Sequence, residues 1–296
     1  MAKPNKSQKN KKRQISKPSS NQAGTKQKVG THKAAPQKQK RSAPHQRPVK
    51  SDTGPKLTPL DGGNRFFFSR NAIEAAIKNP ARKCVRLICT ERAEKTALSL
   101  IGHKQIPIDI IQNEDLLASV IPQDSPHQGI VLEVCPLAAK TIHDLPETER
   151  QLVLILDQVT DPQNVGACLR AGAALGATAL ITPDRHCPTE NGTIARTSAG
   201  GIEILPWIRV GNLSKSLNEL KEQGFWIVGM DGDTDTSLKN VQKGGKIALV
   251  MGSEGKGMRP LTRKHCDIIA KIPMTGAIES LNVATAAAIA VYELGQ

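Results

Sequence analysis

At 296 residues the chain has room for about two domains, but its net charge of +14 is unevenly shared. Residues 1–60 hold 16 of the 41 Lys and Arg against a single acid, Asp52, whereas residues 61–296 set 25 bases against 26 acids. No stretch reaches the ~18 uncharged apolar residues of a membrane span, and the N-terminus has neither the apolar region of a secretory signal nor the amphipathic face of a transit peptide. The composition therefore predicts a soluble cytoplasmic protein, a basic tail on a nearly neutral body.

The tail lacks aromatic residues, and only eleven of its first sixty residues are hydrophobic. Such a segment cannot bury enough apolar surface to offset its backbone entropy, so residues 1–62 are expected to be disordered. They would act as a solubilising tail or as a polycation condensing on phosphate backbones.

After the Pro and Gly positions near Gly54-Pro55 and Gly62-Gly63 the pattern turns periodic. Ala72, Ile73, Ala76 and Ile77 recur at helical spacing over residues 69–78. A strand at 85–90, a helix at 92–102, a strand at 107–112, a helix at 113–119 and a closing strand at 130–134 follow. These elements predict a small α/β domain over residues 63–135. The aromatic run Phe66-Phe67-Phe68 has no place in that pattern. Pro136, Pro146 and their polar neighbours read as a linker over 136–150.

A second domain, 151–296, opens on the apolar strand 152–156. Further strands are expected at 178–182, 225–231, 246–251 and 268–272, with helices at 163–175, 212–223 and 281–294 between several of them. Strands this apolar are covered on both faces, and helical crossovers imply a largely parallel sheet. Leu281, Ala284, Ala288, Val291 and Leu294 form the stripe the last helix would bury. The six cysteines show neither C-x-x-C spacing nor a grouping with histidines, so they read as buried thiols with no structural metal.

Ligands of an open α/β sheet bind beyond the carboxyl ends of its strands, which directs attention to three polar segments. In residues 157–170, Asp161 followed by Pro162 predicts a helix cap and first turn. Gly166, one turn before Arg170, would leave space over the chain for a bulky partner, and Arg170 is either a surface ion pair or a ligand contact. In residues 249–258, Gly252, Gly255 and Gly257 let backbone approach a ligand. The phosphate-loop spacing is absent, since Lys256 is followed by glycine. Glu254 reads as a ligand contact. In residues 272–284, Ser280 reads as a helix cap and Asn282 as a first-turn surface residue.

Together, Asn164-x-Gly166-x-x-x-Arg170, the segment from Gly252 to Gly257, and Ile272-Pro273-Met274 with Ser280-Leu281-Asn282-Val283 resemble the three ordered motifs of the SpoU (TrmH) family. Its members are RNA ribose 2′-O-methyltransferases that use S-adenosylmethionine. The resemblance spans about residues 66–296. Residues 68–76 are similar to the start of the family's substrate-binding domain, which has a fold like ribosomal protein L30e. His127-Gln128-Gly129-Ile130 and residues 198–203 resemble the subgroup acting on a guanosine of large-subunit (23S) ribosomal RNA.

The resemblance implies a C-terminal segment threaded as a trefoil knot, a homodimer, RNA as partner, and no membrane or metal. It implies cofactor contacts from backbone at Gly252, Ile272 and Leu281, and ordering of loops and ribose by Asn164, Glu254, Ser280 and Asn282. Arg170 is the residue implied in activating the hydroxyl. A guanidinium stays protonated, so its role would be to grip phosphate and stabilise developing alkoxide charge rather than to act as a base. The alternatives are transfer RNA as the substrate, or a non-catalytic RNA-binding or ribosome-assembly protein of the same fold.

Overall fold

The computed structural model describes residues 57–123, 125–276, 278 and 280–295. Most of the expected disordered tail, residues 1–56, lies outside them. The described residues form one compact unit built on two sheets.

The first sheet contains β1 (Arg65–Phe68), β2 (Cys84–Thr90), β3 (Ile108–Ile111) and β4 (Ile130–Val134). They lie in the order β1-β4-β2-β3; β4 runs antiparallel to both neighbours, while β2 and β3 are parallel. The Phe66–Phe68 run is thus an edge strand. Successive side chains point to opposite faces: Phe67 enters the core against Ala72 and Ile73, and Phe68 packs with Ile88, Leu117 and Val131 on the other side.

Helices α1 (Arg70–Lys78) and α2 (Glu94–Ile101) and the single turn α3 (Asp115–Ala118) connect the strands. α1 buries the four residues its periodicity singles out, Ala72, Ile73, Ala76 and Ile77. The segment before β1 is already docked: Leu57 N donates to Ser119 Oγ at 3.0 Å and Leu60 N to Glu133 Oε1 at 2.6 Å. His127-Gln128-Gly129 forms the tight turn into β4, with Gln128 and Gly129 left-handed. A Cβ on Gly129 would stand 2.6 Å from Thr90 Oγ1.

Residues 136–150 are less linker-like than their composition suggests. Lys140 pairs with Ile208 as a parallel bridge, and Ile142 is buried in a short turn closed by a Thr141–Asp144 capping box.

The second sheet has six strands: β5 (Gln151–Asp157), β6 (Ala179–Pro183), β7 (Trp207–Val210), β8 (Trp226–Met230), β9 (Lys246–Gly252) and β10 (Ile268–Ala270). All pairings are parallel, in the order β10-β8-β9-β5-β6-β7. Between them come α4 (Pro162–Ala174), α5 (Gly192–Ser198), α6 (Gly201–Ile204), α7 (Leu213–Glu222) and α8 (Pro260–His265), with α9 (Val283–Gly295) last. Along β5, Leu152, Leu154 and Leu156 join the core that includes Leu169 and Val291, while Val153 and Ile155 join the one that includes Leu217 and Leu220. The first of these cores also includes Phe67 and Ile73, so apolar packing is continuous from one sheet to the other.

Two expectations for the last helix change. It starts at Val283, and it buries Val283, Ala284, Ala287, Ala290, Val291 and Leu294. Leu281 precedes the helix and Ala288 is only half-buried, because the packing stripe follows the 3.6-residue turn from the later start.

Among the described residues no helix is long and apolar enough to cross a membrane, and no three His, Cys, Asp or Glu side chains are grouped to hold a metal ion. All six cysteines are free thiols. Burial pushes Cys168 up to about 12 and Cys266 up to about 11, which leaves neither as a thiolate nucleophile at neutral pH.

Candidate active site

β8, β9 and β10 point the same way, and the loops beyond Met230, Gly252 and Ala270 enclose a cavity of about 500 Å³. Its walls include Met251, Ile272, Leu281 and Val283, and its polar groups include Asp231, Glu254, Ser280 and Asn282. A space of this size, apolar with a few convergent polar groups, suits a small organic ligand.

The loop after β9 doubles back over the end of its own strand. Ser253 N donates to Gly257 O at 3.1 Å and Gly257 N returns a bond to Ser253 O at 2.9 Å. A Cβ on Gly252 would fall 2.2 Å from the Gly257 carbonyl carbon and 2.3 Å from Met258 N, so only glycine fits there. Gly255 and Gly257 both sit at positive φ, 76° and 64°, where other residues are strained.

The base of the loop is anchored on β5. Asp157, fully buried at the strand's end and abreast of Gly252, accepts from Arg259 N at 2.9 Å and Arg259 Nε at 2.7 Å. Arg263 is ion-paired with Asp231 on the cavity wall. The sequence reading assigned no role to these four residues, although an acid ending a fully apolar strand was a visible signal.

Three predicted site residues meet on one rim. Asn282 Nδ2 donates to Glu254 Oε1 and to Asn164 Oδ1, each at 2.8 Å, and Asn164 Nδ2 donates to Glu254 Oε1 at 3.2 Å. This triangle joins the first turn of α4, the glycine loop and the entry to α9. Asn282 also caps α9, its Oδ1 accepting from Ala284 N at 2.9 Å and Thr285 N at 3.4 Å. The cap is therefore Asn282 and not Ser280, because the helix begins at Val283; Ser280 stays in the loop and lines the cavity. Asp161 caps α4 as expected, accepting from Gln163 N at 3.0 Å with Pro162 as the first helical residue.

Gly252, Ile272, Leu281, Glu254, Ser280 and Asn282 all line the cavity, whereas Asn164 reaches it through its bonds to Glu254 and Asn282. Arg170 does not line it. It lies exposed, six residues beyond Asn164 on α4, and makes no ion pair among the described residues. The open space expected over Gly166 is filled: a Cβ there would stand 2.8 Å from Thr197 Cβ and 2.9 Å from the Ile194 carbonyl. That glycine serves the contact of α5 on α4.

Residues 151–292 match the SpoU rRNA Methylase family, and residues 70–139 match the family described as RNA 2′-O ribose methyltransferase substrate binding. The chain is 44% identical over 237 residues to the Salmonella typhimurium 23S rRNA (guanosine-2′-O-)-methyltransferase RlmB, covering 78% of this chain and 97% of that one. The Pseudomonas putida protein of the same name is 35% identical, with 77% and 94% covered. Among solved structures, the SpoU methyltransferase AviRb from Streptomyces viridochromogenes, in complex with AdoMet, superposes with a TM-score of 0.70 at 25% identity, covering 79% of this chain and 89% of that one.

Proposed function

This chain belongs to the SpoU rRNA methylase family, and on that premise we propose that it transfers a methyl group from S-adenosylmethionine to the ribose 2′-hydroxyl of a guanosine in 23S ribosomal RNA. The observation that carries the reading is the Asn164–Glu254–Asn282 triangle on the cavity rim. Three motifs far apart in the chain converge where a donor and a ribose would meet.

The residues present fit S-adenosylmethionine. Backbone at Gly252, Ile272 and Leu281 would hold its adenosine and methionine parts in the cavity of about 500 Å³, whose apolar walls at Met251, Ile272 and Val283 and polar groups at Asp231 and Ser280 suit such a molecule. When bound it supplies a methyl group on a sulfonium, a leaving group good enough that the transfer needs no metal.

The chain's own residues then have to orient the hydroxyl and carry charge. Glu254 accepts from Asn164, Asn282 and Val283 N and so fixes three loops at once. Ser280 and Asn282 present polar groups to the ribose. Arg170 grips the adjacent phosphate and stabilises the alkoxide as it develops, a role worth ~2–4 kcal/mol in comparable sites.

Because Arg170 stands outside its own chain's cavity, the reading includes a homodimer that completes the site between two copies. Exposed apolar Ile289 and Tyr292 on α9 support an interface there. It also includes a C-terminal segment threaded as a trefoil knot. The bonds of Lys271 N to Thr236 O and Leu238 N to Lys271 O, 2.9 and 2.8 Å, tie that segment to the loop it would pass through. The reaction is assigned to the cytoplasm.

The test is methyl transfer from labelled S-adenosylmethionine to unmodified 23S ribosomal RNA and to bulk transfer RNA, with the product identified by mass spectrometry. A 2′-O-methylguanosine in the ribosomal RNA alone is expected. Modified transfer RNA would overturn the substrate, and transfer to neither RNA, with intact particles included, would overturn the enzyme.

A further inference from the structure

The segment from Glu190 to Glu203, which carries α5 and α6, touches the first sheet's half of the molecule on one side and α4 on the other. Arg82, between α1 and β2, has a side chain with no exposure. Its Nη1 donates to Glu190 Oε1 at 2.6 Å, and its Nε donates to Glu203 Oε1 and Oε2 at 3.0 and 3.1 Å. Its Nη2 lies 2.8 Å from Glu203 Oε1 as an ion-pair contact, without the angle of a hydrogen bond. Asn79 Nδ2 donates to Glu203 Oε2 at 2.8 Å, and Arg65 Nε donates to the Glu190 carbonyl at 2.9 Å. Arg82 Nη1 also donates to the Cys135 carbonyl at 2.8 Å within its own half; the other donors named come from the first sheet's half and their acceptors from residues 190–203.

Close backbone contacts run alongside. A Cβ on Gly192 would stand 2.4 Å from the Phe68 ring, and one on Gly200 2.8 Å from Ala75 Cβ in α1. On the other side, a Cβ on Gly201 would stand 2.9 Å from the Leu169 carbonyl and 3.1 Å from both N and Cα of Arg170. The Gly200–Gly201 pair is therefore in contact with α1 through one residue and with the backbone of Arg170 through the next.

A buried cluster of one guanidinium and two carboxylates is a poor source of stability, because desolvation consumes most of the Coulomb gain. Burial pushes the Glu190 carboxyl up even with Arg82 beside it. What a planar guanidinium does supply is direction, since its fork holds carboxylates at fixed angles.

We infer that Arg82 is a positioning residue for the methyl transfer: through Glu190 and Glu203 it sets the register between the half that grips RNA and Arg170. The inference rests on the function proposed above. The ribose that is methylated is then the one at a fixed offset from the RNA held by the first half.

The test uses the full-length Arg82→Lys protein, which keeps the charge and loses the fork. Transfer to 23S ribosomal RNA, calorimetric affinity for S-adenosylmethionine and mass-spectrometric mapping of methylated positions are compared with the wild type. The kcat/KM for RNA is expected to fall about tenfold to a hundredfold, the scale of a small misplacement of reacting groups. Methylation should spread to riboses flanking the target, and cofactor affinity should be unchanged. The same nucleotide modified at the wild-type rate, or a parallel fall in cofactor affinity, would overturn the inference.

If Arg82→Lys does not fold, Asn79→Ala removes the two bonds of its Nδ2 to Glu203, to Oε2 at 2.8 Å and to the carbonyl at 3.4 Å, together with the turn bond from Ala81 N, but leaves the Arg82 fork in place, and should shift site selection in the same direction by less. No shift there overturns the inference as well. A wild-type protein that leaves 23S ribosomal RNA unmodified would instead overturn the proposed function, an outcome distinguishable because it requires no variant.

Discussion

Glu133 in the four-stranded sheet and Glu254 beside the six-stranded one are both carboxylates held by an asparagine amide. Glu133 accepts from Asn64 Nδ2 at 2.7 Å, from Arg86 Nε at 2.6 Å and from Leu60 N at 2.6 Å, and its side chain is wholly buried. Glu254 accepts from Asn282, Asn164 and Val283 N, yet it stays exposed at the rim of a cavity. The first carboxylate has a cation among its partners and none of its surface left to meet a ligand. The second has only neutral donors and keeps its charge available, while the nearby motif's cation, Arg170, is left free of any ion pair among the described residues. Polar groups satisfied within one sheet hold the fold together; those left at the carboxyl ends of the other are the ones a ligand can use.

The comparison breaks most sharply at Arg170. Arg170→Ala is expected to lower the rate of methyl transfer by about a hundredfold to a thousandfold, the ~2–4 kcal/mol typical of lost transition-state donors. Its melting temperature and cofactor affinity should match the wild type, because the side chain supports nothing else. A tenfold or greater loss of cofactor affinity by calorimetry would show that Arg170 belongs with the structural charges.

Gly252→Ala tests the cavity without touching any charge. The new Cβ would lie against backbone atoms of Gly257 and Met258, which cannot rotate away. Overpacking of that kind costs ~1–3 kcal/mol, so cofactor affinity should fall about tenfold to a hundredfold. Calorimetric affinity equal to the wild type would mean that the loop relaxes without leaving its place.

Glu133→Gln should have the smallest effect on methyl transfer, leaving rate and cofactor affinity at wild-type values, and should act on stability alone. Burial raises this carboxyl, but the bonds from Asn64, Arg86 and Leu60 outweigh it and hold the group below its ordinary 4.5. The stabilisation is therefore complete above about 4.5 and is lost as pH falls through the lowered native value. Arg86 keeps Asp109 as a partner at 2.9 Å, so it is not stranded by the change. A loss of about 1–3 kcal/mol at neutral pH is expected, with a flatter decline of stability toward acid. Denaturant unfolding at several pH values measures both, and an unchanged acid slope would contradict the assignment.

Much of this was legible along the chain. The fully apolar run Leu152–Leu156 and the spacing of Ala72, Ile73, Ala76 and Ile77 reproduce in the strand and the helix they predict. The parallel sheet follows from apolar strands separated by helices, although only five of its six strands were expected and the edge strand β7 was not among them. The three polar segments were found from their places after strands. The Phe66–Phe68 strand was missed because an edge strand with both faces covered looks like an unpatterned aromatic run. The start of α9 was misjudged because Ser280 and Asn282 are equally good caps by type, and Glu254, 28 residues earlier, stands within bonding distance of Asn282.

What the sequence determined by itself are properties set by near neighbours: period, turn chemistry, charge balance and the order of motifs that mark the family. Only the tertiary structure decided which distant groups touch. It spent Gly166 on α5 rather than on a ligand, set Gly201 against Arg170, brought Asn164 to Asn282, and closed Arg82 between Glu190 and Glu203. The reason is that a contact between segments a hundred residues apart depends on the path of every strand and helix between them. That path is fixed by packing of the whole core, and no local pattern records it.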